Sequence, residues 1–256
     1  MPTTPTALES LERRSLFSVS LVEGVLWALA DRTTGQAIVV GYNADASRIR
    51  VLIDGVQVGR ARASRVSLVV LEGNAGNDTL RIDQSLAPFA HRTLVVGWLG
   101  DDVIEGGDAD TFVLAGGGDD SVTTGAGDDA LFGGYGDDTL SGGGGGDLIY
   151  GGANADSIAG GDGDDTIFAH GYPQDAGDTV TAGNGNDSIG IDVVGAVDAG
   201  QGTDAVYPVP GSTATITNAE SSSPRTFVQL GRSVGAFARA LAPLYNLDSS
   251  PAFHGL

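Results

Sequence analysis

The chain has 256 residues, with 33 acidic and only 13 basic side chains, all of the latter arginine, and a formal charge of −20. The imbalance is local, because residues 93–224 hold 21 aspartates, two glutamates and no Arg or Lys, a block of −23. Such a field repels nucleic acid and anionic lipid and attracts dissolved cations. The absence of cysteine removes disulfides and thiolate metal sites, and no run reaches the roughly 18 apolar residues of a membrane span.

In chain order, residues 1–14 open with Thr6-Ala7-Leu8-Glu9, a capping-box spacing that predicts a short leader or terminal helix. The following SLFSVSLVEGVLWALA reads either as the apolar part of a cleaved signal ending at Ala28-Leu29-Ala30, or as a first buried strand. Residues 15–96 read as irregular strands, with Asp54-Gly55 as the hairpin turn between Val51-Leu52-Ile53 and Val56-Gln57-Val58. Within them GNAGNDTLR, with Asp78 and Leu80, is a lone unit of the pattern that fills the next block. This segment is therefore expected to be an N-terminal extension of one solenoid, its carboxylates offset by arginines.

Residues 97–206 repeat every nine residues: GWLGDDVIE, GGDADTFVL, AGGGDDSVT, TGAGDDALF, GGYGDDTLS, GGGGGDLIY, GGANADSIA and GGDGDDTIF. After an insertion at 169–174 the register resumes at Asp178 and runs through AGNGNDSIG and AGQGTDAVY. Position six is Asp102, Asp120, Asp129, Asp138, Asp147, Asp156, Asp165, Asp178, Asp187 and Asp204. GGDADTFVL is read as one residue short, with Asp110 at position six and Phe112 at position eight. Position eight is apolar throughout, from Ile104 to Val206, as a core stripe requires.

Glycine costs more backbone entropy on folding than any other residue, so its recurrence needs a reason. At position four (Gly118, Gly127, Gly136, Gly145, Gly163, with Asn154 once) it supplies the positive φ of a tight turn. At positions one and two (Gly116, Gly125, Gly134, Gly143, Gly152 and Gly161 among them) it lets backbone carbonyls approach a ligand. The last three residues alternate out, in and out like a very short strand, so two nonapeptides make one coil with two turns. Aspartates 18 apart then stack, Asp102, Asp120, Asp138 and Asp156 on one side and Asp129, Asp147 and Asp165 on the other. Carboxylates spaced by about 4.8 Å need a cation, and carboxylate and carbonyl oxygens suit calcium better than magnesium.

The pattern resembles GGxGxDxUx, the repeat of the RTX (hemolysin-type) family of secreted bacterial calcium-binding proteins. The resemblance implies an all-β, right-handed parallel β-roll or β-helix, several Ca2+ ions held between consecutive turns by these aspartates and turn residues, and export from the cell. The departures are Trp98 at position two, Ala109, and Thr124, Ala115, Ala182 and Ala199 at position one, besides the insertion.

Residues 207–256 are expected to cap the roll. Ser223 as N-cap and Pro224 at the first position begin an amphipathic helix with Arg225, Arg232 and Arg239 on one face. Phe227, Leu230, Val234, Phe237 and Leu241 lie opposite. His91, His170 and His254 fall in no metal-ligand spacing, and HExxH and GxSxG motifs are absent. The expectation is a secreted or cell-surface calcium-binding protein of structural or adhesive role, not an enzyme, whose partners are calcium and a surface polysaccharide or protein. The alternative is a hydrolase or epimerase site around His170, Tyr172 and Asp175.

Overall fold

The computed structural model describes residues 17–30, 34–169, 177–191, 194–210, 212–219 and 221–222. The helices expected within 1–14 and 223–256, and the insertion bearing His170, Tyr172 and Asp175, lie outside them.

Strands β1 (Phe17–Val22), β2 (Val25–Ala30), β3 (Ala37–Tyr42), β4 (Arg48–Ile53) and β5 (Val56–Arg62) come first. A 3-10 turn, Ala63–Arg65, leads to β6 (Leu68–Glu72), β7 (Thr79–Asp83) and β8 (Arg92–Leu99). The nonapeptides form β9 (Val103–Glu105), β10 (Thr111–Gly117), β11 (Ser121–Thr123), β12 (Ala130–Tyr135), β13 (Thr139–Gly144), β14 (Leu148–Ala153), β15 (Ser157–Asp162) and β16 (Thr166–Phe168). Beyond the insertion follow β17 (Asp178–Asn184), β18 (Ser188–Ile191), β19 (Gly195–Asp198), β20 (Ala205–Pro208), β21 (Thr215–Thr217) and β22 (Ser221–Ser222).

From β6 on, successive strands alternate between two sheets and pair in parallel with the strand two elements away. Sheet A runs β1-β2-β6-β8 and on through the even strands to β22; sheet B runs from β21 through the odd strands to β7, then β3-β4-β5. One coil is two nonapeptides, as Leu131↔Ile149 and Leu140↔Ile158 pair across 18 residues. The position-eight side chains fill the space between the sheets, with Leu131, Ile149 and Ile167 at 0% exposure. Burying each such side chain contributes about 1.5–3 kcal/mol, which is what a chain with 41 glycines has to set against their entropy.

One part of the register differs from the sequence reading. Val113, not Phe112, pairs with Leu131 and Val95 and enters the core, while Phe112 points out of sheet A. GGDADTFVL is a full nine residues, so Thr111 occupies position six and Asp110 position five. The sheets also continue past residue 206, through β21 and β22.

The N-terminal strands extend both sheets, since β2 pairs in parallel with β6 and β3 with β7. The residues resembling a signal sequence form β1 and β2, whose turn, Glu23-Gly24, has φ of 51° and 87°. Asp54 and Gly55, at 49° and 75°, make the matching turn of the antiparallel β4–β5 hairpin. Val19 of β1 packs against Gly59 of β5, so the two hairpins meet across this end of the roll.

Candidate metal centre

Each turn between sheets is built by positions one to six. Gly134 at position two has φ of 120° and Gly136 at position four 124°, and a β-carbon on either would run into a carbonyl of the coil before. Asn154 takes the position-four conformation at φ 88°, and Trp98, at position two, is held at φ 80°. The positive φ at position two was not expected from sequence, and Gly125 and Gly127 have left-handed φ at neither position.

The position-six carboxylates are sequestered, every one from Asp102 to Asp204 exposing 2% or less. They form two ladders. Asp102 N donates to Asp120 Oδ1 at 2.7 Å, Asp120 N to Asp138 Oδ1 at 2.8 Å, Asp138 N to Asp156 Oδ1 and Asp156 N to Asp178 Oδ1, both at 2.9 Å. On the other side Asp129, Asp147, Asp165, Asp187 and Asp204 are linked in the same way at 2.8–2.9 Å. The insertion only lengthens a step from 18 to 22 residues, on both sides.

The second oxygen, Oδ2, is buried and accepts no hydrogen bond in Asp102, Asp120, Asp129, Asp138, Asp147, Asp165 and Asp187. A buried, unsatisfied carboxylate oxygen is costly, so something must compensate it. It abuts the position-one residue of its own turn. A β-carbon on Gly133 would collide with Asp138 Oδ2 and Gly151 O, and one on Gly142 with Asp147 Oδ2, with Gly160 O only 2.9 Å away. Missing side chains thus leave carboxylate and carbonyl oxygens of adjacent coils facing a common cradle, a donor set of hard oxygens that fits calcium. Among the described residues no three Asp, Glu, His or Cys side chains gather as a metal cluster, in keeping with cradles made of one carboxylate plus backbone.

Burial pushes Asp102, Asp120, Asp129, Asp147 and Asp165 up to about 7 and Asp138 up to about 8; the amide donated to each opposes the rise. Neighbouring carboxylates add to it along the ladders. Ion binding at neutral pH would have to overcome this preference for the protonated form.

Asp110 stands apart. It is half-exposed and ion-paired with Arg92 at 3.1 Å, while Thr111 N donates to Asp129 Oδ1 at 2.6 Å in its place. Thr124 fills the position-one space beside Asp129, its hydroxyl donating to Gly142 O at 2.7 Å. Asp78 shares a ladder with Asp102 but is satisfied, Oδ1 accepting Gln36 N at 2.6 Å and Oδ2 accepting Asn74 N at 2.9 Å.

Position five carries a second ladder that the sequence reading missed. Asp119 N donates to Asp101 Oδ1 at 3.0 Å, Asp137 N to Asp119 Oδ1 at 2.9 Å and Ala155 N to Asp137 Oδ1 at 3.0 Å. It runs opposite to the first, each amide reaching back one coil rather than forward. The recurring Asp-Asp pair was its signal.

Fold and turns define a parallel β-solenoid with carboxylate-lined coils. The family model for the RTX calcium-binding nonapeptide repeat matches residues 70–81, 105–140, 114–149, 132–167 and 174–189. The chain therefore carries RTX calcium-binding nonapeptide repeats over these residues, and such repeats bind calcium, several ions per repeat region. The first match takes in the lone unit around Asp78, whereas Asp102 and Asp204 extend the ladders beyond the matched stretches. No curated protein matches the chain.

Proposed function

We propose that this is a secreted or cell-surface protein whose roll folds on binding calcium and serves a structural or adhesive, non-enzymatic role toward a surface polysaccharide or protein. The ligands are the ten position-six aspartates, through Oδ2, together with carbonyls of the glycine turns. The buried Oδ2 atoms of Asp102, Asp120, Asp129, Asp138, Asp147, Asp165 and Asp187, which accept no hydrogen bond, carry this reading, because the block from 93 to 224 offers them no basic side chain. Five aspartates in each ladder leave four gaps per side, and Thr124 narrows one of them. Calorimetry on the full chain should find about six to eight calcium ions at about 10⁻⁴–10⁻³ M, the range of extracellular modules. Fewer than about three at millimolar calcium would overturn the assignment.

A further inference from the structure

Arginines gather at one end of sheet B. Positions alternating with the core residues Ile49, Val51 and Ala61 face outward from β4 and β5, and they include Arg48, Arg50, Arg60 and Arg62. Arg48 pairs across the strands with Arg62 and Arg50 with Arg60, although like charges directly opposite destabilise a sheet. Arg50 is relieved by Asp83, which it reaches across Gly41 of β3. Arg48, Arg60 and Arg62 are exposed and form no ion pair among the described residues. Asp45, close enough to Arg48 to feel its charge, accepts Ser47 N at 2.9 Å instead. Charges on β5, the last strand of sheet B, would blunt an open edge, but β4 lies inside the sheet and needs none for that purpose.

Past β9, where Arg81 meets Glu105, the outward face of sheet B carries hydroxyls. Ser121, Thr139, Ser157 and Thr179 align in one exposed row at a strand spacing of about 4.8 Å. From β11 to β17 no outward position seven or nine is a carboxylate, because the aspartates lie in the turns that flank the face. Eight strand spacings separate β5 from β17, so the face runs about 38 Å.

We propose that this face of sheet B docks a carboxylated polysaccharide lying across the strands, its carboxylates on Arg48, Arg60 and Arg62 and its hydroxyls on the serine and threonine row. The proposal deepens the adhesive reading above and rests on it. Guanidinium groups hold carboxylates through two parallel hydrogen bonds, and hydroxyls that both donate and accept suit a polymer of hydroxyls. A protein partner would need aromatic or large apolar anchors at the centre of the contact, which the rows from β11 to β17 lack. A nucleic-acid duplex or an anionic bilayer would overhang a face only about 7 Å across from position seven to nine, and would meet the aspartate turns on either side.

In calcium-loaded full-length protein, hyaluronan serves as the carboxylated probe and dextran as the uncharged one. Hyaluronan should bind, less well as ionic strength rises, and dextran should not. Arg48→Gln, Arg60→Gln and Arg62→Gln together should weaken hyaluronan binding about tenfold or more, as the loss of three exposed charge pairs implies, with the calcium count and Tm kept. Thr139→Glu with Ser157→Glu, which places carboxylates on the same face, should weaken it as well. Hyaluronan binding unchanged in either variant would overturn the proposal and keep the adhesive reading, as would equal binding of dextran. A chain that takes up calcium and binds neither polysaccharide would lose both. Duplex DNA or anionic vesicles bound more tightly than hyaluronan, or self-association abolished by the arginine substitutions, would overturn it in favour of those partners.

Discussion

Asp78 and Asp138 occupy the same rung position of the same ladder, yet the chain treats them oppositely. Asp78 has both oxygens met by amides, from Gln36 and Asn74, in a segment where Arg50 pairs with Asp83 and Arg81 with Glu105, each at 2.8 Å. Asp138 has one oxygen met and one buried without a partner, in a block with no basic residue. One nonapeptide grammar therefore produces two kinds of coil. In the first the backbone and arginines complete the carboxylates; in the second a cation must. The N-terminal coils can then act as the preformed end on which the calcium-dependent ones stack.

Removing calcium should break this symmetry most visibly. Binding to the native state alone stabilises it by mass action, so chelation should unfold the coils from Asp102 onward. Circular dichroism should show partial loss of strand signal, and hydrogen exchange should place the loss. Amides from Leu140 to Ile167 should lose protection while those of β3, β4 and β7 keep theirs. Retained protection of Leu140 to Ile167 without calcium would mean that the two kinds of coil do not differ.

A core substitution should act whichever kind of coil is tested. Ile149→Ala removes a fully buried side chain and should cost about 2–5 kcal/mol in the calcium-loaded state by denaturant unfolding. Substituting aspartates sharpens the contrast. Asp147→Ala, between Asp129 and Asp165, should weaken two neighbouring sites and Asp204→Ala at most one, whereas Asp78→Asn should leave the calcium count unchanged. The cost of Asp78→Asn should be about 1–3 kcal/mol of stability, from the buried amides it disturbs. Equal calcium losses in all three would remove the distinction between satisfied and unsatisfied rungs.

Acidity provides a gentler probe. Burial raises Asp102, Asp120, Asp129, Asp147 and Asp165 to about 7, and Asp138 to about 8, against about 4 for an unfolded aspartate. The native state then binds protons more tightly than the unfolded one, so stability without calcium rises as pH falls through about 8 to 7 and levels off near 4. With calcium bound the trend reverses, because protons compete for the same oxygens. Melting curves between these limits, with and without calcium, should therefore converge on acidification. Parallel curves would count against Oδ2 as the shared site.

Much of this was readable from sequence because positions six and eight do chemically irreplaceable work. One is a carboxylate in every unit but that of Thr111 and the other is apolar throughout, so the register could be followed through the insertion by residue type alone. What could not be followed were positions where several residue types suffice. Position five accepts aspartate, asparagine or alanine, as Asp137, Asn186 and Ala155 show, so its ladder looked like redundancy. Positions seven and nine face outward, and only pairing of alternate units shows that Thr139, Ser141, Ser157 and Thr179 share sheet B while Phe132, Tyr150 and Phe168 share sheet A. The functional period is thus two nonapeptides, a fact hidden when every nine is aligned with the next.

The misplaced register at Asp110 gives the smallest and most discriminating test. Arg92 and Asp110 are exposed by 67% and 46% of their side chains, and pairs of this kind contribute at most about 1 kcal/mol. Asp110→Asn should therefore leave the calcium count unchanged and stability nearly so; loss of an ion would restore Asp110 to position six. The rung actually lacking a carboxylate is Thr111, whose hydroxyl lies beside Gly106, the residue that the Thr124 methyl of the next coil also approaches. Thr111→Asp alone places a new charge in a blocked cradle and should lower stability without adding an ion. Combined with Thr124→Gly, it opens the same space that Gly133 leaves beside Asp138, and calorimetry should count about one more calcium ion, as a further coil of a ladder whose sites are single carboxylates plus backbone oxygens.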